Sequence, residues 1–243
     1  MSVKILFSPS ETKKDGGDFE PNFIFPELLE KRVDVYNKYK KFLETASSNE
    51  LSKLFGVKES SVHDLKETIL NSKSLPAIYR YDGVAYDYLD FKSLETEEQD
   101  YILQNCLIFS NLFGPTLAND FVPNYKLKQG ECFDSLKLED YYKKHFSQTL
   151  DEYLQNSFVL DLRAGFYDKF YKPKKEFTTL KFLLNGKVVS HYAKAYRGLV
   201  MREMAKTGVK TKAEFMDMQI DNLKVIEIKR SGLKEEIVFS IQN

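Results

Sequence analysis

The stretch VKILFSPSETKKDGGD, which runs from Val3 to Asp18, decides the fold. Its apolar run from Val3 to Phe7 is short, and runs of this kind predict a buried strand. Pro9 ends the predicted pairing because it has no N–H group to donate. The polar loop that follows carries Glu11 and Lys13 at the carboxyl end of the strand, where open α/β sheets hold their ligand groups. An ordinary strand-to-loop exit with solvated charges has the same pattern.

Further strands and helices are predicted along the chain. Asn185-Gly186 is the strongest hairpin signal in the sequence. We expect helices over Pro26–Leu43, Leu138–Tyr153 and His191–Lys206, and strands over Cys106–Ser110, Phe158–Leu162, Phe177–Leu184, Lys187–Ser190, Leu223–Ile228 and Glu236–Ile241. Together these elements predict one compact domain over residues 1–243, of mixed α/β (α+β) class, with several core strands surrounded by helices.

The composition limits the kind of protein. A chain of 243 residues with 42% hydrophobic residues can bury a real core. Cys106 and Cys132 form no metal-binding spacing, and they predict reduced, buried thiols. His63, His145 and His191 are scattered, so we expect no metal and no cofactor. Because no signal segment and no apolar run of about 18 residues is found, we expect a cytoplasmic protein that does not enter a membrane.

Positive charge is concentrated in one part of the chain. Between Arg163 and Lys212 there are thirteen lysines and arginines against three acidic residues, a local charge of +10 in a chain of zero net charge. Such asymmetry indicates an anionic partner such as DNA, although a solvated lysine surface has the same composition. On a helical wheel of residues 191–206, four cations share one half: Lys194, Arg197, Arg202 and Lys206.

The region of about residues 48–71 has the outline of two helices joined by a glycine turn. A short helix from Ser48 is followed by Gly56-Val57-Lys58, and a second helix begins at Ser60 or Ser61. This outline is typical of DNA-binding helix-hairpin-helix elements, in which backbone N–H groups and a lysine such as Lys58 hold a phosphate. It is equally typical of an ordinary pair of antiparallel helices.

A second polar strand exit is predicted at Asp161-Leu162-Arg163. The Arg163 guanidinium is suited to bidentate recognition of phosphate or carboxylate. A structural ion pair of Arg163 with Asp161 or with Glu11 is the alternative.

Several of these stretches together resemble the YaaA-type peroxide-stress family, in order and in spacing across nearly the whole chain. The SPSETK motif resembles the branch found in many Gram-positive proteins. The matching stretches are Ser8–Lys13 with Gly16-Gly17, Arg80–Tyr86, Ser110–Gly114, Val159–Tyr167, and Ser190-His191 with Lys194 and Gly198.

The resemblance implies a single mixed α/β domain with a basic cleft and a DNA-binding helix-hairpin-helix element. It also implies a role in limiting intracellular free iron, and so oxidative DNA damage, during hydrogen peroxide stress. The matching motifs carry Lys13, Arg80, Arg163 and Lys194, which become candidates for the cleft.

Two classes of function follow from these observations. In the first, the protein binds duplex or branched DNA through phosphates, without sequence specificity. The candidate anion-binding residues are Lys13, Lys58, Arg80, Arg163, Lys194, Arg197, Arg202 and Lys206. In the second, the loops after Phe7, Ser110 and Leu162 form an active site for a small phosphate- or carboxylate-bearing substrate, with Glu11 or Asp161 as the acid or base.

Overall fold

One mixed β-sheet lies at the centre of the fold. The computed structural model describes residues 2–242, except for the side chains of Ser190 and His191. The strands within this range are β1 (Ser2–Phe7), β2 (Thr12–Lys13), β3 (Ser74–Pro76), β4 (Tyr81–Asp82), β5 (Cys106–Ser110), β6 (Gly114–Leu117), β7 (Phe121–Pro123), β8 (Ser157–Asp161), β9 (Phe177–Leu184), β10 (Lys187–Val188), β11 (Leu223–Ser231) and β12 (Lys234–Ile241).

Eight of these strands form the central sheet, in the order β11-β12-β9-β8-β1-β5-β6, with β10 paired to β9. The strands β12, β9, β8, β1 and β5 run parallel to one another. The strand pairs β11–β12, β5–β6 and β10–β9 are antiparallel. Two short antiparallel pairs, β2–β4 and β3–β7, lie outside the main sheet.

Helices cover the sheet. They are α1 (Leu29–Thr45), α2 (Ser48–Phe55), α3 (Val62–Leu70), α4 (Ala77–Arg80), α5 (Val84–Leu89), α6 (Thr96–Asn105), α7 (Leu138–Leu154), α8 (Ser190–Thr207) and α9 (Lys212–Asp217). Every residue of β5 is buried, so both faces of the sheet are covered at that strand. Within the described chain, no helix is both long and apolar enough to cross a membrane.

The mixed α/β class predicted from the sequence is confirmed. The Asn185-Gly186 hairpin also forms, with Asn185 at φ 50° and Gly186 at φ 75°, but its second strand ends at Val188 because helix α8 begins at Ser190. The predicted helix after Pro26 begins as a 3-10 turn, Pro26–Leu28. Helices α4, α5, α6 and α9 were not predicted, and α4, α5 and α9 are too short, at four, six and six residues, to show a helical period.

Arg80 holds together the segments that surround the Lys13 loop. Its side chain is fully buried. The guanidinium donates to the backbone carbonyl oxygens of Val122 (3.1 Å), Gly16 (3.0 Å) and Lys73 (2.7 Å), and to that of Lys14. This arginine therefore fixes the loop after β2 against β7 and the chain after α3, and its donors are occupied by backbone acceptors.

Replacement of Arg80 by methionine would remove the guanidinium donors from the buried carbonyl group of Val122 and from the part-buried carbonyl groups of Lys14, Gly16 and Lys73. We expect Arg80→Met to lower the free energy of unfolding by about 2–5 kcal/mol, measured by denaturant titration with circular dichroism. Lys144→Met, at an exposed position of α7, is the matched control and changes stability by less than about 0.5 kcal/mol. Equal stability of the two variants would contradict a structural role for Arg80.

Candidate functional site

The carboxyl ends of β5, β1 and β8 open into one cavity of about 400 Å³. Strand β1 lies between its two parallel neighbours, so these three ends meet at the same edge of the sheet. The loops after Phe7, Ser110 and Leu162 do meet there. We call this cavity the first depression. Its lining residues include Ser8, Ser10, Glu11, Thr12, Asn111, Gln129, Ala164, Tyr167, Lys194 and Arg197.

Hydrogen bonds hold the walls of the first depression. The Ala164 backbone N–H donates to Ser8 Oγ over 2.8 Å, which ties the β8 exit to the β1 exit. The Tyr86 hydroxyl donates to the Ser8 carbonyl oxygen over 2.9 Å. The Tyr167 hydroxyl donates to Asn111 Oδ1 over 2.8 Å. Burial raises the pKa of both Tyr86 and Tyr167, so both hydroxyls stay protonated and can donate at neutral pH.

Helix α8 brings two cations to the first depression because it packs closely on α5. A Cβ atom at Gly198 would lie 2.0 Å from the Ala85 carbonyl oxygen, so only glycine allows this approach. Lys194 and Arg197 stand on the turns of α8 just before Gly198. Arg197 is half-buried, and burial lowers its pKa while Asp161 opposes the shift. To the described residues, the Arg197 guanidinium makes no hydrogen bond and no ion pair.

A second depression, of about 510 Å³, surrounds Lys13. The Lys13 Nζ atom lies 4.0 Å from the centre of the Tyr125 ring and 5.5 Å from that of Tyr81. The two tyrosine hydroxyls are 3.1 Å apart, and Ser110 Oγ donates to that of Tyr125 over 2.9 Å. Burial, followed by the neighbouring Lys126, lowers the pKa of Lys13 to about 7. At neutral pH a substantial share of the Lys13 side chains therefore carries a neutral amine.

A third depression lies at the turn between α2 and α3. Gly56 ends α2 in the left-handed conformation, at φ 66°. The Ser52 hydroxyl donates to the Val57 carbonyl oxygen over 2.6 Å, and Lys58 is exposed. This depression is lined by Ser52, Lys53, Gly56, Val57, Lys58, Lys128 and Glu131. The helix–glycine turn–helix outline predicted from the sequence is present.

The three depressions are contiguous because they share lining residues. Glu11 and Thr12 line both the first and the second depression. Val57 lines both the second and the third. We call this continuous feature the groove. Its cationic residues are Lys13, Lys53, Lys58, Lys126, Lys128, Lys194 and Arg197, and its acidic residues are Glu11, Asp15, Asp64 and Glu131.

Four of the eight candidate anion-binding residues line the groove: Lys13, Lys58, Lys194 and Arg197. Arg80 instead binds backbone carbonyl groups. Arg202 donates to the carbonyl oxygens of Leu89 and Asp90 at the end of α5, each over 2.9 Å. Lys206 donates to Glu203 over 3.0 Å.

Arg163 is 6% exposed and is bound by its own neighbours. Its guanidinium makes a bidentate contact with Asp161, at 2.8 Å and 2.6 Å. It also donates to the carbonyl oxygens of Tyr167 and Tyr171, and it lies 4.3 Å from the centre of the Phe109 ring. Of the two ion pairs considered from the sequence, the structure contains the one with Asp161. Glu11, the other candidate acid or base, does line the groove.

The basic segment between Arg163 and Lys212 does not form one face. Lys175 donates to three backbone carbonyl groups near the end of α7. Lys174 pairs with Asp151, and Lys212 pairs with Glu235. Of the cations in this segment, Lys194 and Arg197 line the groove.

Sequence reasoning missed Lys126, and it gave no individual role to Asn111 or Tyr167, which lie in the predicted cleft loops after Ser110 and Leu162. Lys126 follows the short strand β7, and Asn124-Tyr125-Lys126 gives no charge cluster or motif that would have marked it. The side chains of Ser190 and His191, which belong to the family motif, lie outside the described residues. Elsewhere in the described chain, no three His, Cys, Asp or Glu side chains lie together in a way that could hold a metal ion.

Comparison with known proteins gives one consistent result. The family model described as "Peroxide stress protein YaaA" matches residues 3–228. An uncharacterized protein of Campylobacter jejuni is 50% identical, with 98% of this chain and 99% of the relative covered. UPF0246 proteins of Corynebacterium glutamicum (31% identical, 83% and 84% covered) and Streptomyces coelicolor (29% identical, 84% and 83% covered) are also similar. The chain therefore belongs to the YaaA peroxide-stress protein family.

Proposed function

We propose that this protein binds DNA without sequence specificity during the response to hydrogen peroxide, and that it thereby limits free iron and oxidative DNA damage. The observation that carries the proposal is the groove, which joins Lys194 and Arg197 at one end to Lys53 and Lys58 at the other. A row of cations along a continuous groove fits the repeated negative charge of a phosphate backbone.

The hydrogen bonding and the exposure of the cations support the proposal. The Arg197 guanidinium makes no bond to the described residues and lines the first depression. Lys58 is exposed at the glycine turn. By contrast, Arg80 and Arg163 have their donors occupied, so the proposed DNA contacts exclude them.

The acidic residues in the groove influence how the DNA would bind. Glu11, Asp15, Asp64 and Glu131 reduce its net positive charge. We infer that binding depends on cations at both ends of the groove, while its centre at Lys13 contributes less charge at neutral pH.

The second function considered from the sequence was an enzyme acting on a small anionic substrate. Its proposed acid Asp161 and its proposed clamp Arg163 are bonded to each other and buried. The geometry therefore favours the DNA-binding proposal over that form of active site.

Binding should depend steeply on salt. If about four cations contact phosphates, the logarithm of affinity falls with a slope of about −3.6 against the logarithm of salt concentration. Raising salt from about 50 to 200 mM then weakens binding about 150-fold. Fluorescence anisotropy with labelled duplex and four-way-junction DNA measures this slope. An absence of binding at about 50 mM salt would overturn the proposal.

The two ends of the groove should each contribute to that slope. We expect Lys194→Ala with Arg197→Ala, and separately Lys53→Ala with Lys58→Ala, to weaken binding and to make the slope shallower by about 2 units. Lys143→Ala with Lys144→Ala, at exposed positions of α7, leaves both quantities unchanged. If this control pair weakens binding as much as the groove pairs do, the groove is not the contact surface.

The cellular role can be tested with the same variants. In a strain that lacks the gene, we expect the wild-type protein to lower free iron after peroxide treatment, measured by electron paramagnetic resonance of chelated whole cells. The variant with Lys194→Ala and Arg197→Ala fails to do so at equal protein level. Full complementation by that variant would separate the iron phenotype from DNA binding.

A further inference from the structure

Lys13 lies at the middle of the groove. Its backbone belongs to β2, which pairs with β4 in a register that places Lys13 opposite Tyr81. The Nζ atom lies over the ring of Tyr125, and it donates to the carbonyl oxygens of Ser10 (3.2 Å) and Glu11 (3.5 Å). Both acceptors are neutral, so these bonds leave an ammonium charge without a compensating carboxylate contact.

The charges around Lys13 act mostly against its protonated form. Burial is the largest cause, and Lys126 and Arg80 add like charge, whereas Glu11 favours the ammonium. The resulting pKa of about 7 makes the free amine abundant at neutral pH. Asp15 and Asp64 face the same depression, and the hydroxyls of Tyr81 and Tyr125 are held protonated by burial.

The depression beside Lys13 has room for a ligand. It encloses about 510 Å³ and is lined by carboxylates of Glu11, Asp15 and Asp64 and by the side chains of Ser60, Ser61 and Thr68. Lys126 lines it as well, and its ammonium donates to the neutral carbonyl oxygen of Glu11 over 3.3 Å. An amine, carboxylate side chains and a cation for an anionic substituent are thus present together.

We propose that Lys13 is a nucleophilic amine that forms an imine with the aldehyde group of a phosphate-bearing compound in the second depression. A desolvated lysine amine is the group that proteins use for this reaction. The Nζ lone pair attacks the carbonyl carbon, and a proton passes from nitrogen to the carbonyl oxygen to give a carbinolamine. The second amine proton then passes to the carbinolamine hydroxyl, the C–O bond breaks to release water, and a C=N bond forms. No oxidant or reductant is consumed.

Two kinds of compound contain both an aldehyde group and a phosphate group. One is the ring-opened aldehyde of an abasic site in DNA, which is flanked by phosphates, and this source rests on the proposed DNA binding. The other is a free sugar phosphate in its aldehyde form, which does not depend on DNA binding. Because Lys13 lies between the two cationic ends of the groove, a bound DNA strand would pass over it.

Borohydride trapping tests the proposal. The full chain is incubated at pH 7 with a duplex that contains one abasic site, or with glyceraldehyde 3-phosphate, and sodium cyanoborohydride. Intact-mass and peptide-mapping spectrometry then locate the reduced adduct. We expect one adduct, on Lys13. Lys13→Arg, which keeps the positive charge but forms no imine, loses at least 90% of it, whereas Lys14→Arg at the next residue retains it.

The outcomes separate the proposal from the function proposed above. An adduct with the sugar phosphate alone, in a protein that binds no DNA, supports the role of Lys13 and removes the DNA function. Binding of intact DNA with no adduct from either compound overturns the role of Lys13 and leaves DNA binding in place. Adducts spread over surface lysines also overturn it.

A measurement on the wild-type chain guards against misfolding of the variant. Competitive labelling of amines between pH 5 and 11, read out residue by residue, gives the pKa of each lysine. We expect Lys13 to titrate near 7, well below the ordinary lysine value of about 10.4. Titration of Lys13 at the ordinary lysine value would contradict the proposal.

Discussion

Strand β1 pairs in parallel with β5 on one side and with β8 on the other, and the position of the candidate site depends on this pairing. Its last residues align with buried partners, Phe7 with Ile108 and Leu6 with Asp161. The register places the ends of three buried strands at one edge, so their polar loops must meet in the same space. The Ala164–Ser8 hydrogen bond then closes two of the loops on each other.

Arginine serves two purposes in this fold, and the number of bonded partners distinguishes them. Arg80 and Arg163 are buried, and each donates to several oxygen acceptors. Such an arginine is stabilised in place, and its removal would leave polar groups unpaired. Arg197 is half-buried and makes no bond to the described residues, which leaves its donors for an external anion.

The sequence was sufficient to predict the strand before the SPSETK loop, the mixed class and the convergence of three strand exits, because each follows from local periodicity and from the parallel arrangement of buried strands. The sequence was not sufficient to distinguish the cations that are bonded within the fold from those that line the groove. The sequence alone does not distinguish Arg163 from Arg197. Only the contacts in the folded chain show that Arg163 is bonded to Asp161. Lys126 was missed for the same reason, because β7 brings it to Lys13 from a distant part of the chain.

Lys13 connects these observations. Its backbone is fixed by the β2–β4 pair, and that pair is held by the Arg80 contacts to the Lys14 and Gly16 carbonyl groups. The Tyr125 ring that covers its amine is in turn fixed by Ser110, the last residue of β5. The strand framework and the buried arginine therefore place a desolvated amine beside Lys126, and the two cations cannot both be charged there without cost. A fold that only needed positive charge in this groove would gain more from an exposed lysine. The partial burial of Lys13 fits the proposed use of its amine.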